Sequence, residues 1–188
     1  MPNNEFGDFQ TPLALARRCL EVLALPQHGP IRVLEPTCGR GAFLRAAQEQ
    51  NPTSIRYGID INADYVQVAR NYGTVAHANV FTCNLADISW PDPTAPLFVI
   101  GNPPWVTAAE LNRMGSNNIP PKKNYKGMPG IAALLGSSNF DVCEYIILKA
   151  LTELRGQPLR LGMLCKTHVA RNVLVECARA HIQVATAA

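Results

Sequence analysis

The 188-residue sequence is poor in charge, since only 16% of its residues are charged and its formal net charge is +3. With 47% hydrophobic residues, this composition argues against a disordered chain and predicts one domain with a buried core. No apolar run approaches the roughly 18 residues of a membrane span, and the N-terminus lacks the pattern of a signal peptide. We therefore expect a cytoplasmic protein without a membrane partner. The small net charge does not by itself indicate nucleic-acid binding.

The sequence also lacks any Cys-x-x-Cys pair, and no histidine stands at metal-ligand spacing from a cysteine. Its six cysteines are scattered through apolar and turn segments. This pattern favours buried free thiols in a reducing cytosol over a disulfide framework. We expect no metal site.

What the sequence does contain is an alternation of strand and helix patterns. Strands are predicted at residues 31–34, 55–59, within 75–81, at 97–100 and at 159–164. Helices are predicted at 42–49, 63–71, 141–154 and 169–179, after a first helix that begins near Thr11 and Pro12, where the hydroxyl can cap it. The alternation predicts an α/β, Rossmann-like, doubly wound and mainly parallel sheet, truncated after its fifth strand. Such sheets bind ligands beyond the carboxyl ends of their strands.

A glycine-rich turn follows the first strand, at residues 35–41 (EPTCGRG). Gly39 and Gly41 allow a ligand to approach the backbone closely. Asp60 ends the second strand roughly 20 residues later, where an acid can bind a ribose diol. Glu35 suits a ligand with a cationic amino group better than a pyrophosphate. Charge complementarity therefore favours S-adenosylmethionine as the cofactor.

The segment 102–105 (NPPW) follows the fourth strand. Two prolines fix the backbone and donate no hydrogen bonds, and Pro103 restrains Asn102 towards extended geometry. The four residues form a rigid ledge that carries a side-chain amide, carbonyl oxygens and the aromatic face of Trp105. A structural turn seldom needs this combination.

These segments resemble the S-adenosylmethionine-dependent DNA amino-methyltransferases, which act on adenine N6 or cytosine N4. Residues 33–44 (VLEPTCGRGAFL) resemble their cofactor motif, and residues 102–105 match their (D/N/S)-P-P-(Y/F/W) catalytic motif. Residues 9–12 (FQTP) resemble the segment that closes over the methionine end of the cofactor. Its position before the glycine turn is similar to the gamma order of restriction-modification enzymes. Residues 139–141 with Tyr145, and residues 159–166, are weaker likenesses to later motifs.

The resemblance implies a role for each matching residue. The cofactor would contact Thr11, Pro12, Glu35, Pro36, Cys38, Gly39, Gly41, Asp60, Ile61, Asp87 and Ile88. The catalytic residues would be Asn102, Pro103, Pro104 and Trp105. The Asn102 side-chain oxygen and the Pro103 carbonyl would accept the two hydrogens of the target amine. Such enzymes flip the base out of the duplex, and Trp105 would stack on it.

The sequence departs from the family pattern at several points. Lys166 stands where relatives often carry proline, and Trp105 replaces the commoner tyrosine, which leaves the target base open although adenine N6 is favoured. Residues 106–139 form a long segment with little periodicity, and loops of this length are usually functional or disordered. Its Lys122, Lys123 and Lys126 could bind DNA phosphates or belong to a solvated loop. No target-recognition domain is evident, and residues 1–188 are predicted to form a single catalytic domain.

Other interpretations remain open at this point. Methyltransferases of protein glutamine or of ribosomal RNA present a similar ledge to an amide or amino nitrogen. A truncated chain could instead bind cofactor or serve as a subunit without turnover. For an active DNA enzyme the partners would be DNA and a separate specificity or C-terminal subunit.

Overall fold

The computed structural model describes residues 9–113, 118 and 141–184. Each strand and helix predicted from periodicity is present, with ends that differ by a few residues. In chain order the elements are α1 (Leu13–Val22), β1 (Arg32–Glu35), α2 (Ala42–Gln50), β2 (Ile55–Asp60), α3 (Ala63–Ala69), β3 (Thr74–His77), a one-turn 3-10 helix (Leu85–Asp87), β4 (Leu97–Gly101), α4 (Ala108–Arg113), α5 (Val142–Glu153), β5 (Leu159–Met163) and α6 (Thr167–Arg179).

The five strands form one parallel sheet in the order β3-β2-β1-β4-β5. The predicted α/β class and parallel sheet are therefore confirmed. Because all strands run the same way, their carboxyl ends meet along one edge. Glu35 is the register partner of Gly58 on β2, and Asp60 is the partner of His77 on β3. The predicted site residues at strand ends thus share that edge of the sheet.

The chain divides into two compact units. The first, called here the sheet unit, holds Phe9–Pro103 and Glu153–Leu164, and so contains the whole sheet with α1, α2 and α3. The second, called the helical unit, holds the described parts of Pro104–Thr152 and Cys165–Ala188, with α4, α6 and all of α5 but its last residue. The prediction of a single catalytic domain stays a prediction.

The core of the sheet unit positions the turn between β1 and α2. Val33 of β1 and Phe98 of β4 are register partners, and their side chains are 0% and 2% exposed. They share one hydrophobic cluster with Ala16 and Leu20 of α1 and Phe43 of α2. Burial of a large apolar side chain stabilises a fold by about 1.5–3 kcal/mol. This packing holds α1 and α2 against the sheet and fixes the strand-to-helix turn at its edge.

One element was not expected from periodicity. α4 lies within the segment 106–139, which was interpreted as a loop. Thr107 and Glu110 form reciprocal hydrogen bonds at its start: the Glu110 carboxylate accepts from the Thr107 backbone N–H at 2.7 Å, and the Glu110 N–H donates to the Thr107 hydroxyl at 3.2 Å. This is a capping box, whose T-x-x-E pattern is visible in the sequence. The lysines 122, 123 and 126 and residues 139 and 140 lie outside the described residues.

Two further findings bear on the composition. All six cysteines are free, as expected; Cys38, Cys143 and Cys177 are buried and the other three are partly exposed. Within the described ranges, no helix has the length and apolar character needed to cross a membrane. The cytoplasmic location stays a prediction.

Candidate cofactor and amino-group site

The glycine turn is held in place by the end of β2. Gly39 has a φ of 51° and its N–H donates to the Asp60 carboxylate at 2.7 Å. The second carboxylate oxygen of Asp60 accepts from the Asn62 backbone N–H at 2.8 Å. Asp60 therefore joins the turn after β1 to the loop after β2. Its position at the strand end agrees with the prediction, while ribose binding by this carboxylate stays a prediction.

Gly41 is the N-cap of α2, and this position also requires glycine. Its φ is 79°, and an added Cβ would lie 3.1 Å from the Cα of Ala69 at the end of α3. We expect Gly41→Ala to lower the free energy of unfolding by more than the roughly 1–2 kcal/mol of a left-handed residue, because α3 must also shift. Urea unfolding of the two proteins measures the difference.

Gly156→Ala is the matched control for this variant. Gly156 has a φ of 95°, but an added Cβ would meet nothing within 4 Å. It therefore measures the backbone cost alone. Equal losses of stability in the two variants would contradict the proposed contact between α2 and α3.

Glu35, the acid of the turn, is deeply buried, with only 2% of the residue exposed. One carboxylate oxygen accepts a hydrogen bond from the Leu44 backbone N–H at 3.3 Å. Burial raises the pKa of Glu35 well above its ordinary value, and the nearby charge of Asp60 adds to the shift. A cationic group placed here would favour the ionised form. The role of Glu35 in binding a cofactor stays a prediction.

The segment 9–12 contacts both the glycine turn and the segment 102–105. The side-chain oxygen of Gln10 accepts from the Arg40 backbone N–H at 3.0 Å, and a Cβ at Gly39 would come within 2.8 Å of it. The Thr11 hydroxyl accepts from the Asn102 side-chain amide at 3.3 Å. The expectation that Thr11 caps α1 is wrong: the N-cap is Pro12, whose side chain has no group to donate or accept, and the Thr11 hydroxyl bonds to Asn102. The contact of Gln10 with the turn was not predicted.

Asn102 lies directly after β4, beside the buried acid. A Cβ at Gly101 would be 3.7 Å from Cγ of Glu35, so the ledge begins next to that side chain. The Asn102 Nδ2 group is bonded to Thr11, whereas its Oδ1 is buried and has no hydrogen-bond partner among the described residues. The Thr37 hydroxyl, in the glycine turn, is also buried and has no hydrogen-bond partner among the described residues. Buried polar atoms without partners are rare, and each such atom is normally satisfied by a water molecule or a bound ligand.

Trp105 belongs to the helical unit, and the division between the two units falls between Pro103 and Pro104. Trp105 is 48% exposed. Its carbonyl accepts from Lys166 Nζ at 3.4 Å, and the same ammonium is 3.4 Å from Asp141 Oδ2. Lys166 therefore links the end of the ledge to the start of α5. This is the lysine that stands where members of the family often carry proline.

The other predicted cofactor residues, which lie in the turn, after β2 and at the 3-10 helix, differ in exposure. Pro36 is buried, whereas Ile61 is 37% exposed directly after β2. Asp87 and Ile88 lie at the 3-10 helix, where the exposed Asp87 carboxylate accepts from the Asn84 side chain at 2.9 Å. No hydrogen bond among the described residues joins Asp87 or Ile88 to the glycine turn, and their adenine contact stays a prediction.

Cys38 is bonded through its backbone N–H to the Ile59 carbonyl at 2.8 Å. Burial next to Glu35 and Asp60 raises the pKa of its thiol, so it stays protonated and unreactive. Within the described residues, no group of three histidine, cysteine or acidic side chains is placed to hold a metal ion.

Comparison with known proteins adds a relative and a fold. The chain is 34% identical over 178 residues to the type II methyltransferase M.NspV of Nostoc sp. (strain ATCC 29411 / PCC 7524). The match covers 90% of the chain but only 37% of that relative. It confirms the resemblance to restriction-modification methyltransferases. No model of a known protein family matches the chain.

Solved structures with lower sequence identity agree on the architecture. A modification subunit assigned to a type I restriction enzyme of Vibrio vulnificus YJ016 matches with a TM-score of 0.54 and 17% identity, over 91% of this chain and 38% of that one. A protein of Pyrococcus horikoshii, assigned as an RNA methyltransferase, matches with a TM-score of 0.54 and 17% identity, over 91% of this chain and 70% of its own. The fold is the class I methyltransferase fold.

Proposed function

We propose that this chain is the catalytic region of an S-adenosylmethionine-dependent DNA amino-methyltransferase of restriction-modification type. It transfers a methyl group to the exocyclic amine of a flipped base, with adenine N6 favoured over cytosine N4. The observation that carries the proposal is the Asn102 amide, whose Oδ1 is buried without a hydrogen-bond partner among the described residues while its Nδ2 donates to Thr11. An acceptor kept in this condition suits a ligand that brings an N–H group.

The residues of the sheet unit fit the proposed cofactor. S-adenosylmethionine supplies a methyl group on positively charged sulfur, together with an ammonium, a ribose and an adenine. Glu35 and Asp60 provide carboxyl groups at the strand ends, and the buried hydroxyl of Thr37 has no hydrogen-bond partner in the part of the chain that the structure describes. Gly39 and Gly41 have positive φ angles that favour glycine, and they add no side chain of their own to the turn. We assign the ammonium to Glu35 and the ribose to Asp60.

The protein's contribution to the reaction is to position and polarise the amine. The amine's lone pair is delocalised into the base, so its nitrogen is a poor nucleophile. In this proposal Asn102 Oδ1 and the Pro103 carbonyl accept its two hydrogens and draw the nitrogen towards a tetrahedral form. A nitrogen–carbon bond forms as the carbon–sulfur bond breaks, and one amine proton then leaves to water. An amide cannot act as a general base, so this proton leaves after methyl transfer.

Methylation of duplex DNA requires that the target base leave the helix. Extrusion of a base costs a few kcal/mol, and stacking on the exposed face of Trp105 would recover roughly 1–3 kcal/mol. The DNA substrate is supported by the relationship to a type II methyltransferase and by the segment 9–12. Because the chain spans 37% of that relative, we propose that recognition of a specific site involves a further segment or subunit.

The test offers S-[methyl-³H]adenosylmethionine with unmethylated duplex DNA, ribosomal RNA or a release-factor protein. We expect label in DNA, and digestion to nucleosides with mass spectrometry should identify N6-methyladenine. N4-methylcytosine would change the base but keep the class of reaction. Label in protein or RNA alone would overturn the DNA substrate. Cofactor binding without transfer to any of the three would instead indicate a non-catalytic subunit.

A further inference from the structure

The segment 9–12 divides its contacts between the two halves of the site. Gln10 bonds to the backbone of the glycine turn through Arg40, whereas the next residue, Thr11, bonds to Asn102. The family resemblance implies that both Thr11 and Pro12 contact the cofactor. The observed contact gives Thr11 a different partner, 91 positions further along the chain.

The chemistry of a side-chain amide makes this contact consequential. One end of the amide donates two hydrogens and the other accepts, so a half-turn of the group exchanges the two functions. If Nδ2 faced the reacting amine, donor would meet donor and the amine could not be bound. Because Nδ2 donates to the Thr11 hydroxyl, Oδ1 remains as the buried acceptor without a partner among the described residues.

We propose that Thr11 is a positioning residue, which orients the Asn102 amide so that its oxygen receives the amine. This inference rests on the proposed amino-group transfer. In this role Thr11 acts through its hydrogen bond to Asn102. Gln10 and Thr11 therefore serve separate steps, one supporting the glycine turn and the other the transfer of the methyl group.

The test compares Thr11→Val, which keeps the shape but removes the hydroxyl, with Thr11→Ser, which keeps the hydroxyl. Thr11→Val is expected to lower kcat about tenfold, as the loss of one hydrogen bond in the transition state would, with the Kd of S-adenosylhomocysteine changed less than about twofold. Thr11→Ser should restore most of kcat. The control is Thr74→Val, the same change at the exposed first residue of β3, away from the carboxyl ends of the strands.

A second readout needs no turnover. In ¹H–¹⁵N spectra of the wild-type protein, the side-chain amide signals of Asn102 are assigned by their loss in Asn102→Asp. Thr11→Val should move one of the two amide protons upfield, and Thr11→Ser should leave both near their wild-type positions.

The outcomes separate the positioning role from the proposed function. Unchanged Asn102 amide signals in Thr11→Val would overturn the inference, whatever the activity. So would a weakened Kd for S-adenosylhomocysteine with kcat unchanged, because Thr11 would then be a cofactor contact. If wild-type protein methylates no DNA while the amide signals shift as expected, the DNA substrate fails and the contact that carries the positioning role stands.

Discussion

Asn102→Ala is expected to lower kcat for DNA methylation by about 10²–10³-fold, the range found when one preorganised polar contact to a reacting group is removed. The substitution removes the acceptor that would polarise the amine, and it leaves Glu35 and Asp60 in place. The Kd of S-adenosylhomocysteine should therefore change little. Tritium transfer to DNA at saturating cofactor measures the first quantity, and titration calorimetry measures the second.

Loss of folding would be a trivial explanation for such a result, and the structure argues against it. Asn102 Oδ1 is buried and has no hydrogen-bond partner among the described residues, so its removal relieves a desolvation cost. The substitution also removes the 3.3 Å hydrogen bond from Asn102 Nδ2 to Thr11. The Tm of Asn102→Ala should thus stay near that of the wild type. Asn102→Asp keeps an acceptor and a residue that the family motif allows, so it should retain more activity. Methylation by Asn102→Ala at the wild-type rate would overturn the proposed mechanism.

The sequence was sufficient to place the sheet and the edge on which the site lies. Short apolar strands alternating with helical patterns predicted the parallel order, and parallel strands bring their carboxyl ends to one edge. The positions of Glu35, Asp60 and Asn102 at three strand ends follow from this alone. The hydrogen bond from Gly39 to Asp60 follows from the same order, because β1 and β2 are adjacent parallel strands and the two residues lie at their carboxyl ends.

What could not be predicted depends on side-chain direction and on contacts between distant residues. Periodicity places Thr11 before a helix, where a hydroxyl usually caps, and nothing local indicates that it turns to Asn102 instead. The bonds of Lys166 to the Trp105 carbonyl and to Asp141 likewise join residues far apart in sequence. The start of α4 is a different case, because its T-x-x-E capping box was visible and the low periodicity of the long segment concealed it.

Glu35→Gln is expected to weaken binding of S-adenosylhomocysteine by about 2 kcal/mol or more, which is about 30-fold. The variant keeps the shape of the side chain and an oxygen that can accept from the Leu44 N–H, but it removes the charge assigned to the ligand's ammonium. Titration calorimetry at neutral pH measures the change. Glu21→Gln is the matched control, since Glu21 is exposed and pairs with Arg18 on the surface of α1.

The same variant should have the opposite effect on the stability of the protein without ligand. Burial raises the pKa of Glu35 above its ordinary value of 4.5, so ionisation of this carboxyl costs folding free energy. The protonated Glu35 carboxyl makes its full contribution to the free energy of unfolding below pH 4.5. This contribution is lost as the pH rises through the higher pKa of the folded state. Glu35→Gln avoids that loss, and its Tm should exceed the wild-type Tm by a margin that grows with pH over this range.

Ligand binding should reverse that order, because an ammonium beside Glu35 compensates the buried charge in the wild type alone. Thermal unfolding with and without S-adenosylhomocysteine at several pH values therefore distinguishes two roles of Glu35. A carboxyl that binds the cation makes the unliganded wild type less stable and the liganded wild type more stable than Glu35→Gln. A carboxyl that serves only the fold, through its bond to Leu44, would give the two proteins the same increase in Tm on ligand binding, and the assignment of the ammonium to Glu35 would then be wrong.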